Sequence, residues 1–105
     1  MSQALSIGLN ECPFTTDELE ALGVKLEEVI RFKLREKLRR RIEDLFITIN
    51  LITEEHGRKL SVKIDVFVSG KQIAPLTYDE IVAEAISEAT KWLADYLRDR
   101  CREKS

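Results

Sequence analysis

Between Asp44 and Ser69 the chain alternates with a period of two. Leu45, Ile47, Ile49 and Leu51 alternate with Phe46, Thr48, Asn50 and Ile52. Past Glu54-Glu55-His56-Gly57-Arg58, a second run places Leu60, Val62, Ile64, Val66 and Val68 between Ser61, Lys63, Asp65, Phe67 and Ser69. Alternation of this kind, rich in β-branched residues, specifies strands and excludes a helix. The two runs form a β-hairpin. Its aliphatic rows share one face only if odd positions of the first strand sit opposite even positions of the second. A four-residue loop, Glu55-His56-Gly57-Arg58, meets that parity condition and pairs Glu54 with Lys59. Gly57 supplies the positive φ that such a loop needs. In this register Phe46 falls opposite Phe67 and Asn50 opposite Lys63. A slip of one residue would turn the aliphatic row to solvent, so the register is well determined.

Helical periodicity flanks the hairpin on both sides. Thr15 as N-cap, with Glu18 three residues later, makes a capping box, and Phe14 and Leu19 stand at the staple positions. From there Leu22, Leu26, Ile30, Leu34, Leu38 and Ile42 recur every four residues as one apolar stripe. Gly23 interrupts the stripe. Either one helix runs through it at a cost of about 1 kcal/mol, or a first short helix ends there; one continuous helix is the favoured reading. After the hairpin, Pro75-Leu76-Thr77-Tyr78-Asp79-Glu80-Ile81 repeats the same helix start. The last helix runs from about Tyr78 to Arg102, with Ile81, Val82, Ala85, Ile86, Ala89, Trp92, Leu93, Tyr96 and Leu97 as a wide apolar stripe. Ser2–Leu9 alternates weakly and is either a third, edge strand or a frayed terminus. The strand is favoured, because a lone hairpin under two helices is a thin layer. The expected fold is α+β: an antiparallel hairpin, with or without a third strand, and two long helices on its aliphatic face, in the order (β)-α-β-β-α.

Composition narrows the function. At 105 residues the chain is one domain, 1–105, and 44% hydrophobic residues suffice for a core. The 34% charged fraction is high, as on the Lys/Glu/Arg-rich surfaces of thermophile proteins. A net charge of −2 gives no global attraction to nucleic acid or anionic membrane. Met1–Leu9 has neither the basic start nor the apolar run of a signal peptide, and no stretch is long enough to span a bilayer. The expectation is a cytoplasmic protein. Cys12 and Cys101 make no metal-ligand or redox Cys-x-x-Cys spacing. Two free thiols are the favoured reading, with a terminal disulfide as the alternative, chiefly in a hyperthermophile.

No catalytic set can be assembled. The single histidine, His56, lies in the hairpin loop, and the glycines Gly8, Gly23, Gly57 and Gly70 are isolated, so there is no phosphate loop. No carboxylate sits on an apolar wall that would raise its pKa for acid–base work. Asp65 comes nearest, and a solvated pair with Lys63 explains it. The reading is of a non-catalytic protein with no cofactor and no metal. Two surfaces remain for partners. Phe46, Ile52 and Phe67 stand on the hairpin face that the helices do not cover, and Trp92 and Tyr96, one turn apart, form an edge of the last helix. The second half of the first helix is basic, and Arg31, Arg35 and Arg39 share one face. They are candidate phosphate contacts for RNA; a solvated face favoured by the helix C-terminus is the plainer account.

The element order, with the segments Ile42-Glu43-Asp44-Leu45-Phe46-Ile47-Thr48-Ile49 and Leu60-Ser61-Val62-Lys63-Ile64-Asp65-Val66, resembles a small archaeal family commonly encoded beside prefoldin beta. The similarity covers roughly Thr15–Arg102 and rests on order and pattern. The same order resembles the small dimerising (Pcc-type) subunit of the KEOPS complex, which makes threonylcarbamoyl-adenosine in transfer RNA. That subunit is β-α-β-β-α, with both helices on one side of an antiparallel sheet. The resemblance implies a non-catalytic subunit that pairs with itself or with a related paralogue, and through it with a tRNA-modifying assembly, touching tRNA only indirectly. No motif aligns residue by residue, so no binding residue is carried over.

Overall fold

The computed structural model describes residues 2–9, 12–39, 42–70 and 78–103. Five elements follow in the order β1 (Ser2–Gly8), α1 (Thr16–Leu38), β2 (Ile42–Glu54), β3 (Lys59–Gly70) and α2 (Tyr78–Glu103). The three strands form one antiparallel sheet in the order β1-β3-β2. This is the expected α+β arrangement, and Ser2–Gly8 is indeed a strand.

The hairpin register is the one that the parity condition requires. Glu54 pairs with Lys59, Phe46 with Phe67 and Asn50 with Lys63. The loop is more demanding than a single glycine would suggest. Glu55, His56 and Gly57 all take positive φ, at 54°, 58° and 83°. β3 is the central strand, flanked by β1 on one side and β2 on the other. Its Leu60, Val62, Ile64 and Val66 are therefore buried, whereas Leu45, Ile47, Ile49 and Leu51 on the edge strand are only half-covered.

Thr15 caps α1 as its sequence specifies. Its Oγ1 accepts from the Glu18 N–H at 3.1 Å, and Glu18 Oε1 accepts from the Thr15 N–H at 3.2 Å. The helix runs unbroken through Gly23, and its buried face is Leu22, Leu26, Ile30, Leu34 and Leu38. Ile42 departs from the expected stripe. α1 ends at Leu38, with Arg39 at φ 52°, and Ile42 opens β2 instead. A register shift between Ile42 and Asp44 makes room for Glu43, so Ile42 packs against the same core as the odd-numbered residues that follow. The proposed cap of α2 at Thr77 lies outside the described residues. α2 buries Ile81, Val82, Ala85, Ile86, Ala89, Leu93 and Leu97. Ala85 and Ala89 are completely covered, as expected where helices approach closely. α1 lies over β2, α2 over β3, and the two helices pack against each other.

The cysteines correct the favoured reading: Cys12 and Cys101 are disulfide-bonded, with Cα atoms 5.4 Å apart. Antiparallel packing of α1 and α2 brings the start of α1 beside the end of α2. Residues 89 apart in sequence thereby become neighbours.

Two outcomes test this packing. A Cβ at Gly23 would meet only Leu51 Cδ1, at an ordinary 3.6 Å, so Gly23→Ala is expected to raise unfolding stability by about 0.5–1 kcal/mol, measured by urea denaturation. Opening the disulfide releases the unfolded chain from a closed loop of 89 residues. Reduction is expected to cost about 4.6 kcal/mol on the loop-entropy account, read as a fall in Tm with added dithiothreitol.

Candidate partner-binding surface

The sheet has two faces and only one is covered. Even positions of β2 and odd positions of β3 point away from the helices, as the period of two dictates. Phe46 is 62% exposed and Phe67 56% exposed. The rings lie side by side across the strands, with centroids 6.0 Å apart and planes at 38°. Exposed aromatics in direct contact are a patch, unlike a solitary surface residue.

The ends of β1 sharpen this picture. β1 pairs with β3 only from Lys59 to Asp65. Phe67, opposite Phe46, lies two residues past the last described β1–β3 pair, Ser2 with Asp65. Ile52, 58% exposed, lies opposite Ser61 at the other end. It is six residues from Phe46, or about 20 Å along the strand. The structure brings Phe46 and Phe67 together and leaves Ile52 apart from them. Between them lie Thr48, Asn50, Lys63 and Asp65. β2 is also an edge strand, with no strand among the described residues on its far side.

Trp92 and Tyr96 belong to a different surface. Their rings stack at 5.4 Å on the helical side of the molecule, and Lys25 Nζ lies 5.5 Å from the Tyr96 centroid. Both residues are half-buried against the core. Trp92 lines a shallow hollow between the helices with Lys25, Glu28, Val29, Phe32 and Lys33. Phe32, at 64% exposed, is the largest apolar projection there. The sequence pointed to Trp92 and Tyr96 but not to Phe32. Its position off the α1 stripe, three residues after Val29, was the available signal. The five candidate partner residues thus lie on opposite sides of the molecule, Phe46, Ile52 and Phe67 on the open sheet face and Trp92 and Tyr96 on the helical side.

Arg31, Arg35 and Arg39 do converge, around a concavity beside Ile42, Glu43 and Leu45. Their charge is partly spent. Arg31 pairs with Glu27 at 2.9 Å. Elsewhere on the helix Lys33 faces Glu88 at 3.7 Å and Lys37 meets Glu84 at 2.8 Å. The hydrogen bond from Lys37 to Glu84, above all, raises the Lys37 pKa from its ordinary 10.5. A raised lysine pKa keeps this bridge intact through the neutral range and loses it only as pH climbs past the lysine's own titration. Arg40 and Arg41 of the basic run lie outside the described residues.

Among the described residues no polar or charged residue is buried as a whole, and no group of three or more His, Cys, Asp or Glu could hold a metal. His56 is exposed on its loop, and no described helix is long and apolar enough to cross a membrane.

No family model and no curated protein matches the chain. A crystal structure of a protein from Thermococcus onnurineus NA1 is similar to it, with a TM-score of 0.74 and 23% identity over 98% of this chain and 96% of that one. At this identity the likeness establishes a shared fold, across nearly the whole of both chains.

Proposed function

We propose that this protein is a non-catalytic interaction subunit of a cytoplasmic tRNA-modifying assembly of the KEOPS type. It acts by pairing with a second copy of itself or with a related subunit. The exposed Phe46–Phe67 pair carries this reading. It is an apolar patch on the sheet face that no described element covers, past the last described β1–β3 pair. The fold supports the same conclusion, because β-α-β-β-α with both helices on one side is what the resemblance to the Pcc-type subunit implies. A fold shared with an archaeal protein accords with the archaeal family named above.

Burying two phenylalanines contributes about 3–5 kcal/mol before ordering costs. The double variant Phe46→Ser/Phe67→Ser is therefore expected to weaken pairing by a factor of about 100 or more. Sedimentation equilibrium checks this for the self-pair, and co-purification with a paralogous subunit checks it for the mixed pair. A native protein that stays monomeric at micromolar concentration, and captures no paralogue, would remove the proposal.

The convergence of Arg31, Arg35 and Arg39 favours a second reading, a stand-alone RNA-binding module. With Arg31 held by Glu27 and Glu43 on the rim, the surface is less basic than its sequence. The first reading expects the isolated protein to show little salt-dependent RNA binding, and expects Arg31→Glu/Arg35→Glu/Arg39→Glu to leave pairing intact. Tight RNA binding that these changes abolish would establish the second reading instead.

A further inference from the structure

The two sulfurs of the disulfide are not equivalent. Cys12 is 1% exposed, whereas Cys101, in the last turns of α2, is half-buried. Arg100 is aimed at only one of them: its Nη1 donates to Cys12 Sγ at 2.9 Å. The guanidinium is held in place from other directions. Nη2 donates to the Pro13 carbonyl at 2.9 Å and pairs with Glu18, and the plane lies 3.8 Å from the centre of the Phe14 ring. Only 9% of the Arg100 side chain is exposed.

Thiol–disulfide exchange is directional. The attacked sulfur must be reachable, and the departing sulfur leaves faster when its thiolate is stabilised. A neighbouring arginine stabilises a thiolate. Accessibility selects Cys101 as the sulfur attacked, and Arg100 selects Cys12 as the sulfur expelled.

We propose that Cys101 is a modification site for a small thiol, with Cys12 as the leaving and resolving thiolate. The thiolate of the small thiol attacks Cys101 Sγ. A new S–S bond forms there, the Cys12–Cys101 bond breaks, and its electron pair departs on Cys12 Sγ against the Arg100 guanidinium. Two fates follow. Cys12 attacks back, restoring the bridge and releasing the small thiol. Otherwise a second molecule of that thiol attacks the one attached to Cys101. The small thiol leaves as its own disulfide, and Cys101 departs as a thiolate and takes a proton. That second course oxidises two thiols and reduces one disulfide, so the electrons balance. Half-burial of Cys101 favours a small attacking thiol over a folded protein.

The test uses the native oxidised chain. It is exposed to reduced glutathione, quenched in acid at intervals and mapped by peptide mass spectrometry. Glutathione is expected on Cys101 at least about tenfold more often than on Cys12. Equal labelling, preference for Cys12, or a bridge that glutathione leaves unlabelled would each overturn the proposal. Arg100→Leu separates the leaving-group role from simple clamping. If Arg100 stabilises the departing thiolate, bridge opening slows several-fold, and Arg100→Lys restores part of the rate. If Arg100 only holds the chain ends together, its loss leaves the rate unchanged or raises it, and the role assigned to it fails.

Discussion

The aliphatic row of the hairpin can be covered from one side only, and the molecule follows from that constraint. Side chains alternate along a strand, so placing Leu60, Val62, Ile64 and Val66 beneath the helices turns Ser61, Lys63, Asp65 and Phe67 away from them. The four-residue loop locks β2 into the matching phase. Two helices then suffice for the core face, because α1 takes β2 and α2 takes β3. No described element covers the other face. Phe46 and Phe67 are exposed through the same alternation that buries Val66 and Ile47, and no local rearrangement could hide them without exposing the core.

Charge plays a secondary part. The lysines of α1 that read as a basic face meet carboxylates of α2: Lys37 meets Glu84 and Lys33 faces Glu88. Such pairs between exposed side chains contribute little to stability. They matter here because they lower the positive potential that an RNA-binding surface would need. Arg35 and Arg39 line the same concavity as Glu43. Binding to a phosphate backbone depends on uncompensated cations, and these ion pairs reduce their number on the described part of α1.

Features set by nearest neighbours were legible in the chain. The capping box at Thr15 and Glu18, the loop from Glu55 to Arg58, and the cross-strand Phe46–Phe67 contact each depend on a few adjacent residues or on strand parity. Features set by how elements meet were not. Alternation alone does not say that β3 is central, so the half-exposure of Leu45 and Leu51 on the edge strand was hidden. Ile42 fitted the helical period and was assigned to the wrong element, because a bulge at Glu43 restores its phase within the strand. Phe46 and Ile52 share a face, which period two reveals, yet their separation along the ribbon leaves only the phenylalanines as a patch. Cys12 and Cys101 were read as free thiols because their proximity exists only once α1 and α2 are packed antiparallel.

That packing also gives the molecule two unlike ends. At one end the hairpin loop, the start of α1 and the end of α2 converge. There Leu9 bonds to Arg58, the disulfide ties Cys12 to Cys101, and Arg100 spans Pro13, Phe14 and Glu18. Toward the other end, past the last described β1–β3 pair, the phenylalanine pair stands exposed. The chain extends 47 Å along its longest axis, so chemistry at the sulfurs has no direct contact with the aromatic patch. The locked end secures β1 and the two helices as a rigid backing. On the proposed pairing, a firm backing would matter to the open end, because a patch of only two large side chains contributes useful energy when little of it is lost to ordering the ribbon on contact.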